Sequence, residues 1–247
     1  MNDTLDPLET RRLAIMQPYL FPYVGYFQLA LAVDQFVFLD DVTYIQQGWI
    51  NRNRLLQGSR STWFTVPLSG AGSHVLIRDA VIDDRRYARW RKKFFSTVDQ
   101  HYRKAHGFAA AMALVEDVFP AMIEPGASIA SMAKRSVSST MAFLNLPLKT
   151  VESSLVASAC GARGVDRVLE ICETYKARTY INLPGGHALY DPTMFRLRGL
   201  NLAFIAPGPS ALALGTAPDG YQLSLLHVLM RNDADVVRDA LHDYTLE

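Results

Sequence analysis

Ile15-Met16-Gln17-Pro18-Tyr19-Leu20-Phe21-Pro22-Tyr23-Val24-Gly25-Tyr26-Phe27-Gln28-Leu29 is the stretch whose reading decides the fold. It closes a short apolar strand, Leu13 to Met16, on two prolines, and runs into a helix predicted from about Pro22 to Val33. Proline has no N–H and a fixed φ, so it ends a strand and suits the first turn of a helix. Gly25 in that turn lets another backbone or a ligand come close. A strand, a Pro/Gly turn and a helix N-terminus are where α/β proteins gather ligands, because free N–H groups and the helix dipole point outward. Tyr19, Phe21, Tyr23, Tyr26 and Phe27 crowd the same stretch. The turn is therefore either a rigid aromatic anchor for its helix or a ligand cradle.

The pattern continues in both directions. Residues 1–12 carry acids and two arginines without an apolar run, so they read as a flexible tail and not as a secretory signal. After the helix comes a second apolar run, Gln35–Leu39, which ends in Asp40-Asp41. A polar and aromatic loop follows, from Val42 to Arg54. Thr62–Pro67 and Val75–Ile82 read as strands around a Ser/Gly link. Asp83 or Asp84 can cap a helix with Tyr87, Trp90, Phe94 and Phe95 on one side. That helix also carries Arg85, Arg86, Arg89, Arg91, Lys92 and Lys93, either a solvated face or a clamp for phosphate. Helices near 101–120 and 127–144 complete the middle of the chain.

Strands and helices then alternate again. Leu148–Ser153, Thr179–Asn182 and Asn201–Ala206 are predicted strands; Val165–Lys176, Pro192–Arg198, Leu223–Met230 and Ala234–Leu241 are predicted helices. This order predicts an α/β protein with a Rossmann-like, mostly parallel open sheet. Residues 13–61 and 146–247 would form the α/β core, with 62–145 a largely helical insertion or cap. Gln17, Asp40, Ser153 and Asn182 would lie at the C-terminal strand edges.

Composition bounds the partners. The 247 residues are 49% apolar and 20% charged with a net charge of +1, which fits a globular protein and gives no electrostatic case for nucleic acid. No run approaches the roughly 18 apolar residues of a membrane span, so no membrane insertion is expected. Two cysteines, Cys160 and Cys172, make no disulfide framework, and a reducing, cytoplasmic setting is expected.

The motifs resemble the WbqC-like protein family, whose pattern runs close to MQPYFFPYIGYF, then Asp-Asp, then GWINRNRI. Here it stands as Met16 to Phe27, Asp40-Asp41 and Gly48-Trp49-Ile50-Asn51-Arg52-Asn53-Arg54-Leu55. Ser153-Ser154-Leu155, Gly164-x-x-Arg167, Tyr180-Ile181-Asn182, Gly185-Gly186, Leu189-Tyr190-Asp191 and Leu223-Ser224 extend the likeness almost to the C-terminus. The family is linked to surface-polysaccharide (O-antigen type) gene clusters in bacteria, and members are described as glycine transferases. The resemblance thus implies transfer of an acyl or amino-acyl group to an amino sugar or related amine. The donor would be acyl-CoA or a carrier-bound acyl group, with a nucleotide-linked amino sugar or an acyl carrier protein as partner. One departure stands out: the family's Asn-Leu-Ser-Ile-x-Asp reads Gln222-Leu223-Ser224-Leu225-Leu226-His227 here. A weaker likeness, of fold alone, is to the HxGH nucleotidyltransferase-like superfamily. Pro22 or Tyr23 and Tyr26 stand where its two histidines fall, which argues against nucleotidyl transfer. An ATP- or CTP-using ligase and a non-catalytic binding module remain the rival readings.

Acyl transfer needs a placed amine, a base and a donor to the developing oxyanion. Gln17 offers an amide N–H to an oxyanion, or else satisfies the proline turn. Asp40 and Asp41 offer a base; strand alternation lets one face the site, and Asp41, under the following loop, is favoured. Ser154 would be a nucleophile if a base lay over it, and Cys160 a thiol candidate. Adjacent carboxylates alone supply too few ligands for a metal. Asn51, Arg52, Asn53 and Arg54 form a dense donor set for a carboxylate or diphosphate, or an arginine there ties the loop to Asp40 or Asp41. Trp49 would stack on a sugar or anchor its loop. Gly185 and Gly186 can present N–H groups to an anion. Tyr19, Pro22, Tyr23, Gly25, Tyr26, Ser153, Asn182, Tyr190, Asp191 and Ser224 complete the candidate contacts.

Overall fold

The computed structural model describes residues 12–72, 74–158 and 161–247. The expected tail, apart from Arg12, and the Cys160 candidate therefore lie outside the described residues. Arg12–Met16 is strand β1, and Tyr23 is the N-cap of helix α1, Val24–Leu31. Pro22 sits just before the cap and not inside the helix, so it sets the entry of the chain. Strand β2, Gln35–Phe38, returns beside β1 in parallel.

Between β2 and the next strand of this sheet the chain builds a layer of its own. Strands β3, Arg52–Gln57, and β4, Arg60–Thr65, form an antiparallel hairpin. The predicted loop over 42–54 thus ends three residues early, because Asn53 and Leu55 alternate inward while Arg52 and Arg54 face outward. The predicted strand Val75–Ile82 is interrupted by a 3-10 turn, Ile77–Asp79. Its last two residues, Val81–Ile82, form β6 against β5, Leu68–Ser69. Helices α2, Asp84–Tyr102, α3, Phe108–Val118, and α4, Ile129–Phe143, follow. Asp83 caps α2 by accepting from the Arg86 N–H at 3.0 Å.

The sheet then resumes with β7, Thr150–Glu152, α5, Gly164–Thr174, β8, Thr179–Asn182, α6, Pro192–Leu197, and β9, Asn201–Pro207. Helices α7, Pro209–Gly215, α8, Leu225–Arg231, and α9, Ala234–His242, lead to β10, Tyr244–Leu246. Neither α7 nor β10 is legible as an element in the sequence; both are short and lean on β9 and α1.

The six strands are ordered β10-β9-β8-β1-β2-β7, all parallel except β10. The Rossmann-like, mostly parallel fold is thus present. Side-chain alternation divides the core. Leu13, Ile15 and Val37 pack on α5 and α6 through Val168, Ile171, Cys172 and Phe195. Ala14, Phe36 and Phe38 face the other side, where one continuous core takes in α1, α2, α3, α4, α8 and α9. Truncating a wholly buried side chain such as Phe36 would cost about 3–5 kcal/mol. Among the described residues, no helix is long and apolar enough to cross a membrane.

Candidate functional site

The strand order reverses at β1: the chain moves outward to β2 and β7 on one side, then returns to β8 and β9 on the other. At such a switch point the two sets of loops part and leave a crevice over the C-terminal ends of the strands. Here it has two arms. One, of ≈ 590 Å³, lies toward β8 and is lined by residues that include Met16, Gln17, Tyr19, Tyr23, Ile45, Trp49, Asn182, Gly185, Gly186, Tyr190 and Gln222. The other, of ≈ 700 Å³, lies toward β2 and α5 and includes Gln17, Asp41, Thr43, Ile45, Leu76, Arg163, Gly164 and Arg167. Gln17 and Ile45 belong to both.

The Gln17–Pro22 turn is held from four directions. Leu20 N–H donates to Trp49 O at 3.0 Å, and Phe21 N–H to Ser136 Oγ at 2.8 Å. Asn53 Nδ2 donates to the carbonyls of Leu20 and Phe21 at 3.0 and 2.7 Å, and Ser224 Oγ donates to Phe21 O at 2.7 Å. Leu225 N–H reaches Pro22 O at 2.8 Å. These bonds hold Phe21 at φ 43°, a left-handed conformation that is unfavourable for an aromatic residue. Tyr26 Oη donates to Gln17 O at 2.9 Å. The Gln17 carboxamide itself has no hydrogen-bond partner among the described residues, so its backbone is held while its side chain is unspent.

On the β8 arm, burial raises the phenol pKa of Tyr19 and, well above its usual range, of Tyr23, so both remain neutral donors. Asn182 is fixed by donating to Tyr180 Oη at 3.0 Å and accepting from Leu183 N–H at 2.7 Å. A Cβ on Gly186 would come within 3.1 Å of the Asn182 amide, so glycine keeps that side chain in place. Gly25 lies under the Tyr23 ring, where a Cβ would stand 2.9 Å from Cε2.

On the other arm the two aspartates divide. Asp40 is buried, with Oδ2 2.7 Å from Lys134 Nζ on α4 and Oδ1 accepting from Ser154 N–H at 3.1 Å. Burial pushes its pKa up, but the bonds from Lys134 and Ser154 outweigh that and hold it below the ordinary carboxylate value. Asp41 lines the crevice, with Oδ2 2.9 Å from Arg167 Nη2 and Oδ1 accepting from Ser153 Oγ. Arg167 is almost wholly buried and also bonds Glu170 at 2.6 Å and the carbonyls of Ser153 and Val156.

Several sequence candidates are engaged elsewhere. Asn51 joins Tyr44 Oη and Val66 O, and with Arg52 it lines a separate pocket under the 44–47 and 70–72 loops. Arg52 donates to the carbonyls of Gln47 and Gly48, so the loop arginine ties its own loop and not Asp40 or Asp41. Asn53 and Ser224 serve the proline turn, and Ser224 also caps α8. Asp191 caps α6 through Thr193 N–H at 2.8 Å. Pro22, Tyr26 and Ser153 are buried and, like Ser154, line neither arm. His227 lines neither arm: its Nδ1 meets Tyr102 Oη on α2 at 2.8 Å, and burial, then Arg231, lowers its pKa to about 4. Lys134, Arg167, Ile45 and Gln222 are the residues that sequence reasoning passed over as site members. Arg167 left a signal, a charged residue on the apolar stripe of α5 with Val168 and Ile171.

The model of the WbqC-like protein family matches residues 17–238. The uncharacterized protein Rv1507c of Mycobacterium tuberculosis is 26% identical over 186 residues, covering 75% of this chain and 78% of that protein. No solved structure matches.

Proposed function

The chain belongs to the WbqC-like protein family, and from that premise we propose that it is an acyl or amino-acyl transferase acting in the crevice over β1. The acceptor is the amine of an amino sugar or a related metabolite, and the donor is a thioester of coenzyme A or of a carrier protein. The observation that carries this reading is Gln17: a carboxamide without a partner among the described residues, on a turn held by four distant segments, at the strand-order reversal where both arms meet. An unspent N–H donor carried on a held backbone at that point suits an oxyanion that forms when an amine from one arm meets a carbonyl from the other.

In the proposed step the amine lone pair attacks the thioester carbon, and Gln17 Nε2–H donates to the oxygen as it becomes negative. Collapse breaks the C–S bond and releases the thiol; the amine proton passes through Asp41 to the departing sulfur. Arg167 and the Ser153 hydroxyl orient Asp41 and leave it lone pairs toward the crevice. Tyr19, Tyr23 and Asn182 offer neutral donors and acceptors to sugar hydroxyls on the other arm.

The test is mass spectrometry of UDP- and dTDP-amino sugars incubated with the protein and acyl-CoAs, or with glycine and ATP. A mass gain equal to the acyl group less the hydrogen it replaces, absent in Gln17→Ala, supports transfer. A product that forms only with ATP favours the ligase reading, which draws on the nucleotide-binding strand order. Unchanged sugars across the panel would overturn the enzyme reading in favour of a binding module.

A further inference from the structure

We propose that Arg54, held between two aromatic rings at the rim of the crevice, is the contact for a ligand diphosphate. This deepens the transferase reading and rests on it for the identity of the ligand. Arg54 lies on β3 directly across from Trp63 on β4. Its guanidinium carbon stands 4.3 Å from the Trp63 ring and 3.6 Å from the Tyr221 ring. Arg52, on the same strand face, stands 4.0 Å over the same indole. Arg54 thus lies against both rings and shares the Trp63 indole with Arg52.

The two arginines differ in what their N–H groups do. Arg52 spends its donors on loop carbonyls, whereas the Arg54 guanidinium has no acceptor among the described residues. Stacking covers the faces of a planar guanidinium and leaves its N–H edge, the part that pairs bidentately with phosphate oxygens. Because the rings restrict the group in advance, little freedom is lost on binding.

The surroundings fix its place. Trp49, which lines the β8 arm, lies 5.1 Å from Trp63, and Gln222, which lines the same arm, follows Tyr221. Ser224 N–H bonds Arg54 O at 3.0 Å. The Ser61 N–H and hydroxyl both donate to Asp219 Oδ2, at 2.9 and 2.8 Å, which fastens the turn bearing Tyr221 to the hairpin. Two cations on one indole, one of them unspent, suit a doubly charged group better than a single carboxylate. Both a nucleotide-linked sugar and coenzyme A carry a diphosphate, so the chemistry is shared and the experiment separates the sources.

The experiment is calorimetric titration of the full chain with pyrophosphate, UDP, coenzyme A and acetate at low salt. Wild-type protein is expected to bind pyrophosphate and at least one of UDP and coenzyme A. Arg54→Gln should weaken that binding by roughly tenfold or more, the loss of a charge-assisted pair. Arg54→Lys, which keeps the charge but not the fork, should fall between, and Tyr221→Phe, which keeps the stack, should bind as wild type. Which of UDP and coenzyme A binds names the source. Equal affinity in Arg54→Gln, binding of acetate but no diphosphate, or no binding at all would overturn the proposal. Because the readout is affinity without turnover, failure to find an acylated product would defeat the transferase reading and leave this result standing.

Discussion

The ammonium of Lys134 lies 2.7 Å from Asp40 and 3.1 Å from Glu152, so a helix from the middle of the chain is bolted to the ends of β2 and β7. Asp40 is 2% exposed, and an unpaired charge there would be costly. Lys134→Met is expected to lower stability by on the order of 3 kcal/mol, which for a chain of this size is a fall of roughly 6–12 °C in Tm. The folded Asp40 pKa is depressed, so its contribution is present above the ordinary value of 3.8 and disappears as pH falls through the folded pKa. Acid melts of wild type and Lys134→Met should therefore converge below that value; parallel curves would refute the pairing.

His227 titrates in a different window. Its folded pKa of about 4 lies below the ordinary 6.5, so as pH falls from 6.5 to 4 the unfolded chain takes up a proton that the folded chain refuses. Stability then falls by about 1.4 kcal/mol per pH unit across that window. His227→Gln, whose carboxamide can still bond Tyr102 Oη without titrating, should flatten the slope of Tm against pH between 6.5 and 4. A slope unchanged from wild type would show that another group carries it.

Asn53 separates a structural role from a binding role. Asn53→Ala leaves the Leu20 carbonyl without its side-chain donor and removes one of the two donors to Phe21 O. A loss of about 1–3 kcal/mol in urea melts is expected, with substrate KM unchanged in the fraction that remains folded. A raised KM at wild-type stability would return Asn53 to the list of ligand contacts.

Gln17 and Asp41 should behave oppositely in stability. Gln17→Ala removes no hydrogen bond made by the side chain, so Tm should stay within a degree or two while kcat falls roughly 10²–10³-fold. Asp41→Asn should lower kcat by about 10²–10⁴-fold and also destabilise the protein, since Arg167 loses a charged partner. If Gln17→Ala leaves kcat unchanged, the oxyanion assignment fails.

Local pattern carried much of the architecture. Thr179–Asn182 is a strand as expected, and α5, α6, α8 and α9 fall within a few residues of their predicted limits, because apolar spacing and capping residues are properties of neighbours in sequence. The strand β1, its proline turn and the helix behind it were legible for the same reason. The hairpin strand β3 was not: it reads Arg-Asn-Arg, and its buried Asn53 is tolerated only because distant carbonyls accept from it.

What the sequence by itself determined is therefore a mostly parallel α/β protein with Gln17 and the Asp40-Asp41 pair at the C-terminal ends of its first two strands. Tertiary structure alone decided how those residues are used. Asp40 meets Lys134 across 94 positions and Asp41 meets Arg167 across 126, and such pairs depend on where the chain returns and not on any local period. The same return brings Tyr221 onto Arg54 and parts the loops at β1. Short-range sterics and hydrophobic spacing write the elements into the sequence; charge pairing and open space arise only once those elements are packed.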